Sequence, residues 1–240
     1  MQQPRTAISL TGVTKRYGEP PSQEYALRGV DLEVKQGEVL LLMGPSGSGK
    51  TTLLSIMGCI LSPTDGDVVV AGQSVTGLST GNLAKVRLDN LGFVFQEYNL
   101  FPTLSVIENV MVALDLRGMN RKDSAETAMS ALENVGMAEK AHVYPETLSG
   151  GQKQRLAIAR ALAGSPKVIL ADEPTAALDS ENGRLVMDLM SSLADDGTRS
   201  VVVVTHDQRT FEFADRIITI EDGLLLPPRE MNNIRKSRKT

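Results

Sequence analysis

Residues 8–13 and 26–34 alternate apolar and polar side chains, the pattern of strands buried on one face. Between them Gly18, Pro20 and Pro21 supply a turn composition. Residues 38–43 form a nearly continuous apolar run, as expected of a strand covered on both faces. Three glycines follow within residues 44–49, and the pattern then predicts a helix over 50–60. Short strands are predicted over 68–70 and 92–95. From about Leu104 to Leu162 the periodicity is helical, with Ala125, Met129, Leu132 and Val135 at helical spacing as an expected core stripe. Ser149 is placed to N-cap a helix over about 151–163. Strands return at 168–171, 200–204 and 216–221, with a helix predicted over 180–194 and a turn at Asp222-Gly223. Strand–helix alternation at both ends predicts an α/β fold with a mainly parallel sheet. The helical middle, about 97–165, reads as an inserted α-helical subdomain of a single domain spanning 1–228.

Composition narrows the partners. The chain has 240 residues, 25 Lys plus Arg against 29 Asp plus Glu, and a net charge of −4. That balance lacks the basic footprint of a nucleic-acid binder, so no nucleic-acid partner is expected. A single cysteine, Cys59, excludes an internal disulfide and a multi-cysteine zinc site, and suits a reducing compartment. No apolar run approaches the roughly 18 residues of a membrane helix, and the polar start shows no secretory signal. Work at a membrane would therefore need another chain to do the spanning. The tail, 229–240, carries Arg229, Arg235, Lys236, Arg238 and Lys239 against the one acid Glu230, and is expected to be a disordered, solvated end.

The chemistry begins at Gly44-Pro45-Ser46-Gly47-Ser48-Gly49-Lys50-Thr51, which matches G-x-x-x-x-G-K-[ST]. Glycines there let successive backbone N–H groups point inward and cradle phosphates. The helix opening at Lys50 adds its positive end. Lys50 reaches the β- and γ-phosphates, and the Thr51 hydroxyl is an oxygen ligand of the kind Mg²⁺ prefers. Thr52 completes the expected nucleotide-binding run. A second element is the apolar strand 168–171 ending in Asp172 and Glu173. Such a strand delivers both acids to the sheet edge where ligands bind in open α/β folds. Asp172 is the expected metal ligand, directly or through water, and Glu173 the expected catalytic base that polarises the attacking water.

The third motif is Leu148-Ser149-Gly150-Gly151-Gln152. With it the chain resembles the nucleotide-binding subunit of an ATP-binding-cassette (ABC) transporter. The resemblance covers about Ile8 to Leu225. It implies a P-loop NTPase core, an antiparallel N-terminal β subdomain and the inserted helical subdomain. It implies ATP and Mg²⁺ as cofactors. It also implies that Ser149, Gly150, Gly151 and Gln152 of one subunit cap the γ-phosphate held by the P-loop of another, in a head-to-tail homodimer. Gln96 in Phe95-Gln96-Glu97 matches the glutamine near the metal and the attacking water, and so belongs to both catalytic and metal sets. Ala176-Ala177-Leu178-Asp179 resembles the loop in which Asp179 contacts the shared site, although Ser is commoner at the first position. His206 matches the histidine that contacts the γ-phosphate, and Tyr17 the aromatic that stacks on adenine, with Tyr25 close by. Gly92-Phe93-Val94-Phe95-Gln96, Asn99-Leu100 and the string 171–180 are similar to the ATPases of lipoprotein-releasing, macrolide-export and glycolipid-export systems.

The expectation is an ATPase that powers a separate integral-membrane permease, cytoplasmic and peripheral on the inner face of the membrane. A mechanotransmission ATPase like the cell-division member of the family is the alternative. A DNA-repair or translation ATPase of the same family would need a long coiled coil or a second cassette, and neither pattern is present. A P-loop GTPase is disfavoured by the lack of an Asn-Lys-x-Asp string. The apolar segment after Gln96, residues 97–104, is expected to help form a groove for a short permease helix.

Overall fold

The computed structural model describes residues 5–227, so the basic tail lies outside the described residues. Two sheets organise the chain. The first holds β1 (Thr6–Tyr17), β2 (Glu24–Lys35), β4 (Asp65–Val70) and β5 (Gln73–Ser74), in the order β2-β1-β4-β5 and antiparallel throughout. The second holds β3 (Val39–Met43), β6 (Leu91–Val94), β7 (Val168–Asp172), β8 (Ser200–Val204), β9 (Arg216–Glu221) and β10 (Leu224–Leu225), in the order β10-β9-β3-β8-β7-β6. All its pairings are parallel except that of the terminal β10.

Strand β3 explains the layering. Its side chains alternate between the faces of the sheet, and Leu40, Leu41 and Leu42 are all fully buried. Leu41 and Val39 face one core with Val201, Val203 and Ile169. Leu40 and Leu42 face the other with Val202, Val204 and Leu170. The first core is covered by α3 (Val106–Asp115), α4 (Arg121–Asn134), α5 (Gly150–Leu162) and α6 (Ser180–Ser192). The second is covered by α1 (Lys50–Met57), α2 (Thr80–Asn90) and the antiparallel sheet. Each buried Leu contributes roughly 1.5–3 kcal/mol, so a charge on either face of β3 would disrupt one core outright.

Several expectations shift in detail. Strand β1 runs on to Tyr17 because Thr14–Tyr17 pair with Arg28–Glu24 across register irregularities, which break the strict alternation that marks strands in sequence. Helix α1 stops at Met57, short of residue 60, because Gly58 caps it and Cys59 turns into the left-handed region at φ 54°. The stripe of α4 holds in part: Leu132 and Val135 are buried as expected, whereas Ala125 and Met129 are only half-buried, and Ser124, Ala128 and Ala131 complete the buried face. Helix α2 has no counterpart in the sequence reading, because only its Leu83 and Val86 are buried and its other residues, Ala84 and Leu88 apart, are polar or glycine.

Candidate functional site

The parallel strands β3, β6, β7 and β8 all end at one edge of the sheet, and each delivers a loop there. After β3 comes the glycine loop, after β6 Gln96, at the end of β7 Asp172 and Glu173, and after β8 His206. Gly44, Pro45, Ser46, Gly47, Gly49, Lys50, Thr51, Thr52, Gln96, Asp172, Glu173 and His206 line one cavity of about 670 Å³, with Ala26 and Val204 beside them. That volume suits a nucleotide.

Two glycines are required by close approach. A β-carbon on Gly44 would stand 2.1 Å from the Ile220 carbonyl oxygen, and one on Gly49 would stand 2.5 Å from that of Ala26. Gly49 also takes the N-cap position of α1 at φ 103°, with no side-chain cap. The first N–H groups of α1 are thus left for a ligand. The Lys50 ammonium donates to the carbonyls of Gly44 at 2.8 Å and Pro45 at 2.6 Å, which fixes it over the loop. Ser48 is buried beneath the loop, and its hydroxyl has no hydrogen-bond partner among the described residues.

The acids occupy distinct settings. Asp172 Oδ2 accepts from the Thr51 hydroxyl at 3.4 Å. Burial raises the Asp172 pKa, and the Glu173 charge beside it raises it further, against the opposing effects of Thr51 and Lys50. A partly buried carboxylate next to a hydroxyl and a second carboxylate gains from a hard cation, so the donors present fit Mg²⁺. Among the described residues no group of three or more His, Cys, Asp or Glu is arranged to hold a metal ion by itself, and Mg²⁺ usually takes several of its ligands from phosphate oxygens and water. Glu173 sits at φ 48°, in the left-handed region that non-glycine residues rarely adopt. Its N–H donates to the Val204 carbonyl at 2.9 Å. Its Oε1 lies 2.7 Å from His206 Nδ1, where the ring nitrogen donates to the carboxylate. His206 is largely exposed, whereas the Glu173 side chain is only 14% exposed.

The raised pKa of Asp172 makes a stability prediction. A carboxyl whose folded pKa exceeds its unfolded one favours the fold below the unfolded pKa, and that advantage is lost as pH rises through the folded one. At neutral pH the ionised Asp172 therefore strains the nucleotide-free chain. Asp172→Asn is expected to raise Tm in the absence of nucleotide at neutral pH and to blunt the further rise on adding Mg-ATP. Thermal melts with and without Mg-ATP check both signs; a lower nucleotide-free Tm contradicts the first.

Other expected site residues lie off this cavity. Ser149, Gly150, Gly151 and Gln152 form the start of α5. The Ser149 hydroxyl accepts from the Gln152 N–H at 3.3 Å, and Gln152 Oε1 accepts from the Ser149 N–H at 3.0 Å. This capping box leaves Ser149 exposed at a helix N-terminus. Gly151 packs against Asn182, with no room for a β-carbon. Asp179 N-caps α6, with its two carboxylate oxygens on the backbone and side-chain N–H groups of Asn182 at 2.9 and 2.8 Å. Those bonds hold its pKa below the usual carboxylate range. Tyr17 is 47% exposed and does not line the cavity. Tyr25 has the guanidiniums of Arg16 and Arg28 over its ring at 5.8 and 5.5 Å, and Tyr17 has the Lys15 ammonium over its ring at 5.5 Å. Sequence reasoning missed Ala26 and Val204. An apolar side chain lining a cavity carries no distinguishing mark in sequence.

Comparison with known proteins bears on this geometry. The ABC transporter family model matches residues 27–176. The ABC transporter ATP-binding protein MJ0796 of Methanocaldococcus jannaschii is 46% identical over 220 residues, covering 90% of this chain and 94% of that protein. The ABC transporter ATP-binding protein YknY of Bacillus subtilis is 41% identical, covering 92% and 95%. The putative hemin import ATP-binding protein HrtA of Staphylococcus haemolyticus is 41% identical, covering 90% and 98%. A solved dimeric structure of MJ0796, in a post-hydrolysis state bound to ADP and Pi, superposes with a TM-score of 0.86 at 41% identity, covering 94% of this chain and 99% of that one. The chain belongs to the ABC transporter family, as an ATP-binding subunit with the ATPase fold and the motifs of that family.

Proposed function

We propose that this subunit powers a separate integral-membrane permease of the export or lipid- and lipoprotein-extraction kind, docked on the inner face of the membrane, through a homodimer that sandwiches two ATP molecules. The observation that carries the reading is the separation of its two anion-binding ends. The glycine loop and α1 line the phosphate cavity, while the exposed N-terminus of α5 at Ser149 lies outside it. One chain thus holds two half-sites, and a second copy turned head-to-tail completes both. MJ0796 is itself a dimer in its solved structures.

In this reading the backbone N–H groups of 44–49 and Lys50 bind the phosphates. Glu173 accepts the proton of the attacking water, held in place by its strained backbone and by His206. His206 turns its ring toward the transferring phosphate. Thr51, Asp172 and Gln96 would hold Mg²⁺, which neutralises phosphate charge when bound. Tyr17 stacks on the adenine. Tyr17→Ala is expected to weaken ATP binding by about 1–2 kcal/mol, the scale of base–aromatic stacking. Tyr25→Ala should change affinity little, because Tyr17 is the aromatic that matches the adenine-stacking position of the family. Titration with a fluorescent ATP analogue checks the order.

The permease contact is read at a groove of about 310 Å³ beside the loop that carries Gln96, lined by Phe93, Phe95, Asn99, Phe101, Val112 and Leu116 among others. Phe101 is 45% and Leu116 70% exposed there. Leu100, in the same segment, instead packs against the first core. It is therefore part of the fold, and Phe101 is the residue to probe. Phe101→Asp is expected to leave the ATPase of the isolated subunit within about twofold of wild type and to abolish its stimulation by the permease, since a charge in an apolar helix groove costs docking. ATPase assays of subunit and reconstituted complex test the reading. Equal losses in both would sink it. Outward movement of cargo is expected, and ATP-driven inward movement would contradict that part.

A further inference from the structure

The segment after Gln96 holds two consecutive non-glycine residues in the left-handed region, Tyr98 at φ 61° and Asn99 at φ 48°. Such a pair persists only where its surroundings hold it. The holder is Arg160, in the last turn of α5. One arm of its guanidinium, Nη2, donates to the Tyr98 carbonyl at 2.7 Å, and the other, Nη1, donates to the Asn99 carbonyl. No carboxylate pairs with Arg160 among the described residues. Burial pulls its pKa down, and the two bonds to carbonyls are charge-assisted.

The same segment meets α5 again at its other end. The Tyr98 hydroxyl lies 3.3 Å from where a β-carbon on Gly150 would stand. Ten residues separate Gly150 from Arg160, about 15 Å along the helix. Residues 98 and 99 therefore touch α5 near both ends, through a ring and through a fork. Two residues earlier the same loop sends Gln96 into the phosphate cavity.

We propose that Arg160 is a positioning residue that locks α5, and with it the helix end at Ser149, to the loop carrying Gln96, so that the half-site a chain offers its partner moves with that chain's own phosphate cavity. The inference rests on the sandwich reading above. Its physical basis is leverage. The planar fork fixes both translation and tilt of a helix whose far end must meet a phosphate, and a lysine ammonium, a point donor on a flexible stem, cannot. Misplacing binding groups by about 1 Å can cost on the order of 10²-fold.

The test uses Glu173→Gln as parent, with Arg160→Lys and Arg160→Ala added separately. Three quantities are read: ATP affinity of the dilute monomer, melting temperature, and the protein concentration at half-dimerisation in ATP. Arg160→Lys is expected to bind ATP within twofold of the parent and to melt cooperatively, yet to need at least tenfold more protein to dimerise. In the otherwise wild-type chain it should lower kcat tenfold or more with KM for ATP nearly unchanged. Arg160→Ala should show a shift at least as large. An unchanged half-dimerisation point in Arg160→Lys overturns the proposal. So does a loss of ATP affinity and dimerisation in equal proportion, because that marks a residue needed only for the fold. A parent that stays monomeric in ATP overturns the sandwich reading itself, and the inference falls with it by a distinguishable route.

Discussion

Glu173→Gln is expected to bind Mg-ATP like the wild type and to hydrolyse it about 10²–10⁴-fold more slowly, the usual loss for a general base. The amide keeps the shape of the carboxylate and can still accept from His206 Nδ1, now 2.7 Å from Oε1. What it loses is the ability to take a proton. The backbone argues for the same residue. Glu173 adopts φ 48°, a conformation that costs on the order of 1–3 kcal/mol for a side-chain-bearing residue. Its N–H bond to Val204 and the packing of β7 against β8 hold it there. Asp172, one residue earlier, extends the strand pairing to Val204 and meets Thr51, so the chain reverses its side chains between two adjacent acids and gives each a separate task. Phosphate release at saturating Mg-ATP measures the effect. Turnover near that of the wild type would remove Glu173 from the catalytic role.

Ser149→Asp is expected to abolish ATP-driven dimerisation and to reduce turnover to the level of an isolated chain, while leaving ATP binding to the monomer intact. Aspartate caps a helix as well as serine, so the bond now made to the Gln152 N–H survives. The variant therefore keeps α5 and its packing. What changes is charge: a carboxylate stands where a helix N-terminus would otherwise meet a phosphate. Ser149→Arg reaches the same end through bulk but also loses the cap, about 1 kcal/mol. Light scattering with Mg-ATP, beside nucleotide titration of the dilute protein, reads both halves of the prediction. Wild-type dimerisation of Ser149→Asp would show that this helix end meets no phosphate.

The strands that build the cavity were legible because each is short, apolar and fully covered. Strands 200–204 and 216–221 were read with their observed bounds, since Val201–Val204 leave no polar residue to blur the edges. The loops at their ends were legible because phosphate chemistry restricts residue type so tightly. Helix α2 was not, because its Leu83 and Val86 are too few to mark a face. The core stripe of α4 was legible at Leu132 and Val135 but not at Ser124, Ala128 and Ala131, because a search for large apolar side chains slides past small ones. The grip of Arg160 on Tyr98 and Asn99 was invisible for another reason: it runs from a side chain to carbonyls about sixty residues away, which no local spacing records.

Dimerisation of Glu173→Gln tests the central claim most directly, because slow hydrolysis lets a composite site accumulate. Measured by light scattering at rising protein concentration, the variant is expected to keep the mass of one 25.8 kDa chain without nucleotide and to double it with ATP. A single-chain mass at saturating ATP and high protein, or a dimer that forms equally without nucleotide, would contradict the claim that ATP is held between two chains.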